Sequence, residues 1–281
     1  MHSTRDVWID NAKGIAMLLI IIGHVSGDLT GLLSFQFVYG IHLTMFFLLS
    51  GYTLKKKPFT MDYVNLKFSR LMTPYFYTCV AILVMDIWNS FFINHDCTIA
   101  TVTYIIGKDI LRSFFASGAI TTFGTIDIGT RIGAIWFLPA LFFAILIFQG
   151  LLQMTQDSRK LGIVTFFLAV MGYISARFIW LPFSIQSGML ASFFLWIGYE
   201  VREQELLNRV KWYHYFTAQI IFLATIFYNY SDIGFVVAYL NDIIFSILSG
   251  LSGCLLLYLI SFHLKSLKIL PWIGRNSLYI L

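Results

Sequence analysis

Charge is what this chain lacks. Of its 281 residues only 12% are Asp, Glu, Lys or Arg, against roughly 25% in a soluble globular chain. A soluble enzyme cannot be solvated by so few charges, and 58% hydrophobic residues exclude a disordered segment. Cysteine is scarce as well. Cys79, Cys97 and Cys254 are odd in number and form no C-x-x-C pair, so neither a disulfide framework nor a zinc site is expected, and no metal. A cleavable signal peptide is not expected: the first apolar run follows a charged, aromatic start and has no A-x-A exit. Soluble domains, internal repeats and low-complexity linkers are not evident either.

What is present is apolar. Mean hydropathy is +0.78 and 18% of the residues are aromatic. Apolar segments fall near 14–33, 35–54, 74–94, 133–152, 161–181, 184–200, 212–230, 235–262 and 272–281. A hydrocarbon core ~30 Å thick takes about 20 such residues per helix. The expected fold is therefore all-α, a polytopic integral membrane bundle of about nine to ten transmembrane helices, in one domain over 1–281. The stretch 99–132 mixes apolar residues with Lys108, Asp109, Arg112, Asp127 and Arg131. It reads as an interfacial or re-entrant helix followed by an outer loop, because irregular backbone is not tolerated against lipid.

The formal charge of +5 reads as topology, not as affinity for nucleic acid. With the N-terminus cytoplasmic, every Lys and Arg except Lys108, Arg112, Arg131 and Arg177 falls on the inner side, the bias of the positive-inside rule.

Several charged residues sit where lipid makes them costly. Lys13 and His24 lie eleven residues apart, three helical turns plus ~20°, on one face and about 16 Å apart along the axis. That places Lys13 at the cytoplasmic interface and His24 near mid-membrane, with Asp28 one turn further on. Ionisable residues at such depth mark function by default; the competing reading is a neutral histidine hydrogen-bonded between helices. His42 falls mid-membrane in the second span, either near His24 or as a packing residue, and Ser50-Gly51 permits a close helix contact. Lys55 to Lys57 read equally as stop-transfer charges. Lys67 and Arg70 share a helix face through i,i+3 spacing. Two cations at a cytoplasmic mouth suit a phosphorylated ligand, Arg as a bidentate fork and Lys as a point charge.

The start R-x-x-x-x-D-x-x-K-G-I-x(9)-H, then I-H-x-x-x-F-F-x-L-S-G-Y and K-x-x-R-L-x-x-P-Y, is followed by A-I-W-F-L-P-A-L-F at 134–142 and W-I-G-R-N-S-L-Y-I at 272–280. In this order the landmarks resemble the acyltransferase 3 family of bacterial membrane O-acyltransferases, and within it the fucose 4-O-acetyltransferase-like subgroup. The resemblance implies transfer of an acetyl or similar group from cytoplasmic acyl-CoA to a sugar hydroxyl of a surface polysaccharide or lipid-linked glycan. It also implies a multi-pass protein of the bacterial cytoplasmic membrane, without a tightly bound cofactor. The family's basic-x(10)-His motif falls on Lys13 and His24, and its R-x-x-R, associated with acyl-CoA, on Lys67 and Arg70. Lysine stands where many members have arginine at both first positions. No SGNH-type hydrolase domain follows, and the last span is expected to be truncated.

The residues fit that chemistry. A buried neutral His24 can take a proton from an attacking hydroxyl, with Asp28 as its partner. Lys13, too far along the helix to reach the reaction, would meet the CoA phosphates or an inner gate, held by Asp10 one turn before it. Arg112, Arg131 and Trp136 would border the acceptor at the outer mouth, although Trp136 equally suits the interfacial aromatic belt. Two rival classes remain open on the sequence: a transporter or flippase of a lipid-linked sugar, and a non-catalytic sensor switched by His24 titration.

Overall fold

A computed structural model of the chain describes residues 6–25, 32–95, 98–118, 122–123, 126–127, 132–176, 178–228, 233–234, 239–240, 243–264 and 268–277. Among the described residues the fold is all-α, with ten α-helices and two short antiparallel ladders, Thr122–Phe123 (β1) with Ile126–Asp127 (β2) and Ile233–Gly234 (β3) with Tyr239–Leu240 (β4). Two compact units are present. One comprises Met1–Leu54, Phe194–Phe235 and Tyr239–Leu281; the other comprises Lys55–Phe193 and Val236–Ala238.

In the first unit, α1 (Val7–Val25) packs on α2 (Leu32–Thr53), on α9 (Ile243–His263) and on α10 (Ile269–Arg275), and α9 packs on α8 (Trp212–Tyr228). The α1–α10 seam is close enough that a Cβ on Gly14 would run into the Leu270 carbonyl, and one on Gly274 into that of Asp10. Gly51 meets the backbone of Leu195 in the same manner, the close contact its sequence context suggests. Helix ends leave carbonyls unpaired, and here side chains from other helices satisfy them. Asn11, fully buried, donates from Nδ2 to the carbonyls of Ser261 at 3.0 Å and Leu264 at 3.3 Å, at the end of α9. Arg202 of α7 (Ile185–Glu203) donates to the carbonyls of Tyr52 at 2.9 Å and Leu54 at 2.5 Å, closing the end of α2.

In the second unit, α3 (Met61–Phe92), α4 (Ile99–Phe115), α5 (Phe137–Met154) and α6 (Ser158–Ser175) are joined by the first part of α7. Their starts follow the capping preferences of short polar residues. Thr60 accepts from the Tyr63 amide, Thr98 from Thr101, and Asp157 from Arg159 and Lys160. The α4 terminus turns through Ala116 in the left-handed region (φ 51°), where Trp180 Nε1 donates to the Phe115 carbonyl at 3.0 Å and Ser184 Oγ to that of Ala116. The linker before α3 is gripped by Gln149 and Gln153, whose amides both donate to the Lys57 carbonyl.

Two helices among the described residues are long and apolar enough to cross a membrane, Met61–Phe92 and Ala134–Met154. Their surroundings differ: 72% of the Ala134–Met154 window is buried, but only 22% of the α3 window. The outward side of α3 is nonetheless apolar, with Tyr77, Val80, Val84 and Trp88 exposed. The same holds for Ile163, Phe167, Met171 and Ile174 on α6, and for Trp212, Phe216, Ile220, Leu223 and Phe227 on α8. Soluble helices turn polar residues outward, whereas apolar stripes at helical spacing on three helices suit a hydrocarbon surrounding.

Helix boundaries depart from the sequence expectation in several places. α1 begins at Val7 and ends at Val25 where hydropathy gives 14–33, which puts Lys13 well inside the helix and His24 in its last turn. α9 begins at Ile243 where hydropathy gives 235. Hydropathy starts the third span at 74, whereas α3 begins at Met61 and carries Pro74 inside it. The terminal segment expected at 272–281 is represented by the short α10, Ile269–Arg275, docked on α1.

Candidate functional site

The first unit carries the basic-x(10)-His motif on a single helix. α1 runs without interruption from Val7 to Val25, so Lys13 and His24 occupy one helix with about 16 Å of axial rise between them. Lys13 is half-buried. The side chain of His24 lies outside the described residues, as do Asp28 and Arg131.

Around Lys13 the wall of α1 is polar but dry. Asp10 and Asn11 are both 0% exposed. Asp10 Oδ2 accepts from Arg275 Nε at 2.9 Å, an ion pair between α1 and α10 that burial makes less sensitive to screening. Helical spacing sets Asp10 beside Lys13, and Arg275 is a partner that this spacing does not reveal. The signal was available in the W-I-G-R landmark, but no local spacing links residues so far apart. His42 is 3% exposed within α2.

The second unit holds the other cation pair. Lys67 and Arg70 stand one turn apart on α3, Lys67 half-buried and Arg70 exposed. Lys67 Nζ lies 5.4 Å from the ring centroid of Tyr63, within reach of a cation–π attraction.

The residues read as an acceptor border are placed differently from one another. Arg112 is 9% exposed, and its Nη2 lies 2.8 Å from Asp86 Oδ2 and 3.1 Å from Asp109 Oδ1. Its guanidinium is thus held by two carboxylates of its own unit. Asp86 was not singled out from the sequence, because 26 residues and a helix–helix contact separate it from Arg112. Trp136 is 4% exposed, in the 3-10 turn Ala134–Trp136 that leads into α5.

The outward apolar stripes and the two long apolar helices are consistent with a helical membrane protein. The family comparison makes this specific: the acyltransferase 3 model, described as an acyltransferase domain, matches residues 6–281. The chain belongs to that family and is a membrane acyltransferase. No curated protein and no solved structure matches it.

Proposed function

We propose that the protein is an O-acetyltransferase of the fucose 4-O-acetyltransferase-like subgroup, moving an acetyl group from cytoplasmic acyl-CoA to a sugar hydroxyl of a surface polysaccharide or lipid-linked glycan. It acts as one membrane-embedded domain of the bacterial cytoplasmic membrane, with its N-terminus inside. The observation that carries this reading is the unbroken α1, which gives the spacing of Lys13 and His24 its helical meaning.

His24 is the general base. Its neutral imidazole takes the proton of the acceptor hydroxyl as that oxygen attacks the thioester carbonyl. The tetrahedral intermediate collapses by breaking the C–S bond, and the imidazolium returns the proton to the departing CoA thiolate. Asp28 fixes the tautomer of His24 and favours the imidazolium while it lasts. Lys67 and Arg70 bind phosphates of the donor, Arg70 through its planar fork and Lys67 as a point charge. Lys13 serves the phosphates or an inner gate. Arg131 and Trp136 border the acceptor, whereas the buried pairing of Arg112 with Asp86 and Asp109 suits a role in holding α4.

The test is CoA release. Purified protein in proteoliposomes is given acetyl-CoA and a panel of glycoside acceptors, and free thiol is measured. Release that depends on a sugar acceptor supports the reading. A protein that binds or moves the sugar without releasing CoA is a transporter, and the acetyltransferase assignment fails.

A further inference from the structure

Between α3, α4 and the 3-10 turn Pro182–Ser184 lies a cavity of about 310 Å³. Its wall is mostly apolar, with Phe76, Val80, Phe114 and Phe183, and carries one carboxylate, Asp109, together with the small polar side chains of Ser113 and Cys79. Asp109 is only 2% exposed. Its Oδ1 lies 3.1 Å from Arg112, which is shared with Asp86, and neither of its oxygens has a hydrogen-bond partner among the described residues. A buried carboxylate oxygen without a donor is costly, and native structures place a partner there. Three of the wall's side chains also stand on the outward apolar surface: Val80 is 59% exposed, Phe114 46% and Phe76 40%. The cavity therefore opens onto the apolar outer surface of this unit.

We propose that this cavity binds a hydroxyl-bearing amphiphile from the bilayer, its apolar body against Phe76, Phe114 and Phe183 and its hydroxyl donating to Asp109 Oδ2. The ligand class follows from the donor count. A phosphate or carboxylate would be repelled by Asp86 and Asp109. An additional cation is not called for, because α4 already supplies Arg112 and the adjacent Lys108 for those two carboxylates. A sugar would leave most of its hydroxyls facing phenyl rings and aliphatic carbons. Oδ1 faces Arg112, and one hydroxyl on an apolar body supplies a donor for Oδ2. With about 30 Å³ for each water-sized group, the space holds the head end of such a molecule and the remaining chain lies in the membrane. This inference does not depend on the acyl-transfer reading.

The experiment is photolabelling in lipid nanodiscs. A long-chain alcohol with a diazirine beside its hydroxyl end is compared with its methyl ether and with the matching ammonium, and labelled peptides are mapped by mass spectrometry. The alcohol should label the segments around Cys79–Leu83 and Ile110–Phe114 about tenfold more than the ether, the discrimination one buried hydrogen bond gives. Asp109→Leu should lower alcohol labelling to the level of the ether, and Val80→Trp, which closes the mouth with Asp109 intact, should abolish both. Equal labelling by alcohol and ether overturns the proposal, as does stronger labelling by the ammonium. That ratio is read on the unaltered protein, so it stands even if Asp109→Leu fails to fold.

Discussion

Arg275 reaches Asp10 across almost the whole length of the chain, Nε to Oδ2 at 2.9 Å, with the carboxylate 0% exposed and the arginine side chain 57% exposed. The two partners are not equivalent. Removing the arginine takes one ionic partner from a buried carboxylate, whereas removing the carboxylate leaves an arginine that can turn to water. Arg275→Ala should therefore lower stability by about 1–3 kcal/mol, and Asp10→Asn by less. Thermal unfolding in detergent checks the order; the reverse order would mean that the pair is not what anchors α10 to α1.

The same seam depends on side chains that are missing. Gly274→Ala and Gly14→Ala each place a methyl group against backbone that cannot step aside, and overpacking of this kind costs about 1–3 kcal/mol. Gly150→Ala, with open space around it, should leave the unfolding temperature unchanged or raise it, since alanine favours the helix.

These relationships mark the boundary of what the sequence could reveal. The apolar segments near 161–181, 184–200 and 212–230 correspond to α6, α7 and α8, because hydropathy reports directly on helices turned toward lipid. The first turns of α3 escaped, since Asp62, Asn65, Lys67 and Arg70 are too polar for a hydropathy window, although Thr60 already marks the cap. The positions of Lys13, Lys67 and Arg70 could be read from local spacing. The partners of Asp10 and Arg112 could not, because Arg275 and Asp86 reach them only through helix packing.

Lys67 and Arg70 should separate donor binding from chemistry. Lys67→Ala and Arg70→Ala should weaken acyl-CoA binding, measured by calorimetry in nanodiscs, with the difference from the unaltered chain largest at low salt and shrinking as salt screens the attraction the two cations supply. Arg70→Lys should not restore full affinity, because the bidentate fork is gone. Normal binding by both alanine variants would reduce the pair to a topology signal.

Sidedness follows from the distribution of basic residues. In a background free of Cys79, Cys97 and Cys254, a cysteine replacing Ser69 should react only with thiol reagents that cross the membrane. One replacing Thr130 should react with impermeant reagents. The reversed pattern would put Lys67 and Arg70 on the side without acyl-CoA.

The most direct measurement is mass spectrometry of envelope glycans from cells carrying the unaltered chain or His24→Ala, at matched protein levels in the membrane. The unaltered chain should add the mass of an acetyl group to a sugar residue, and His24→Ala should reduce that addition by about 10²–10⁴-fold, the usual loss with a general base. Acetylation by His24→Ala within about threefold of the unaltered chain, far inside that range, would contradict the assignment of His24 as the base.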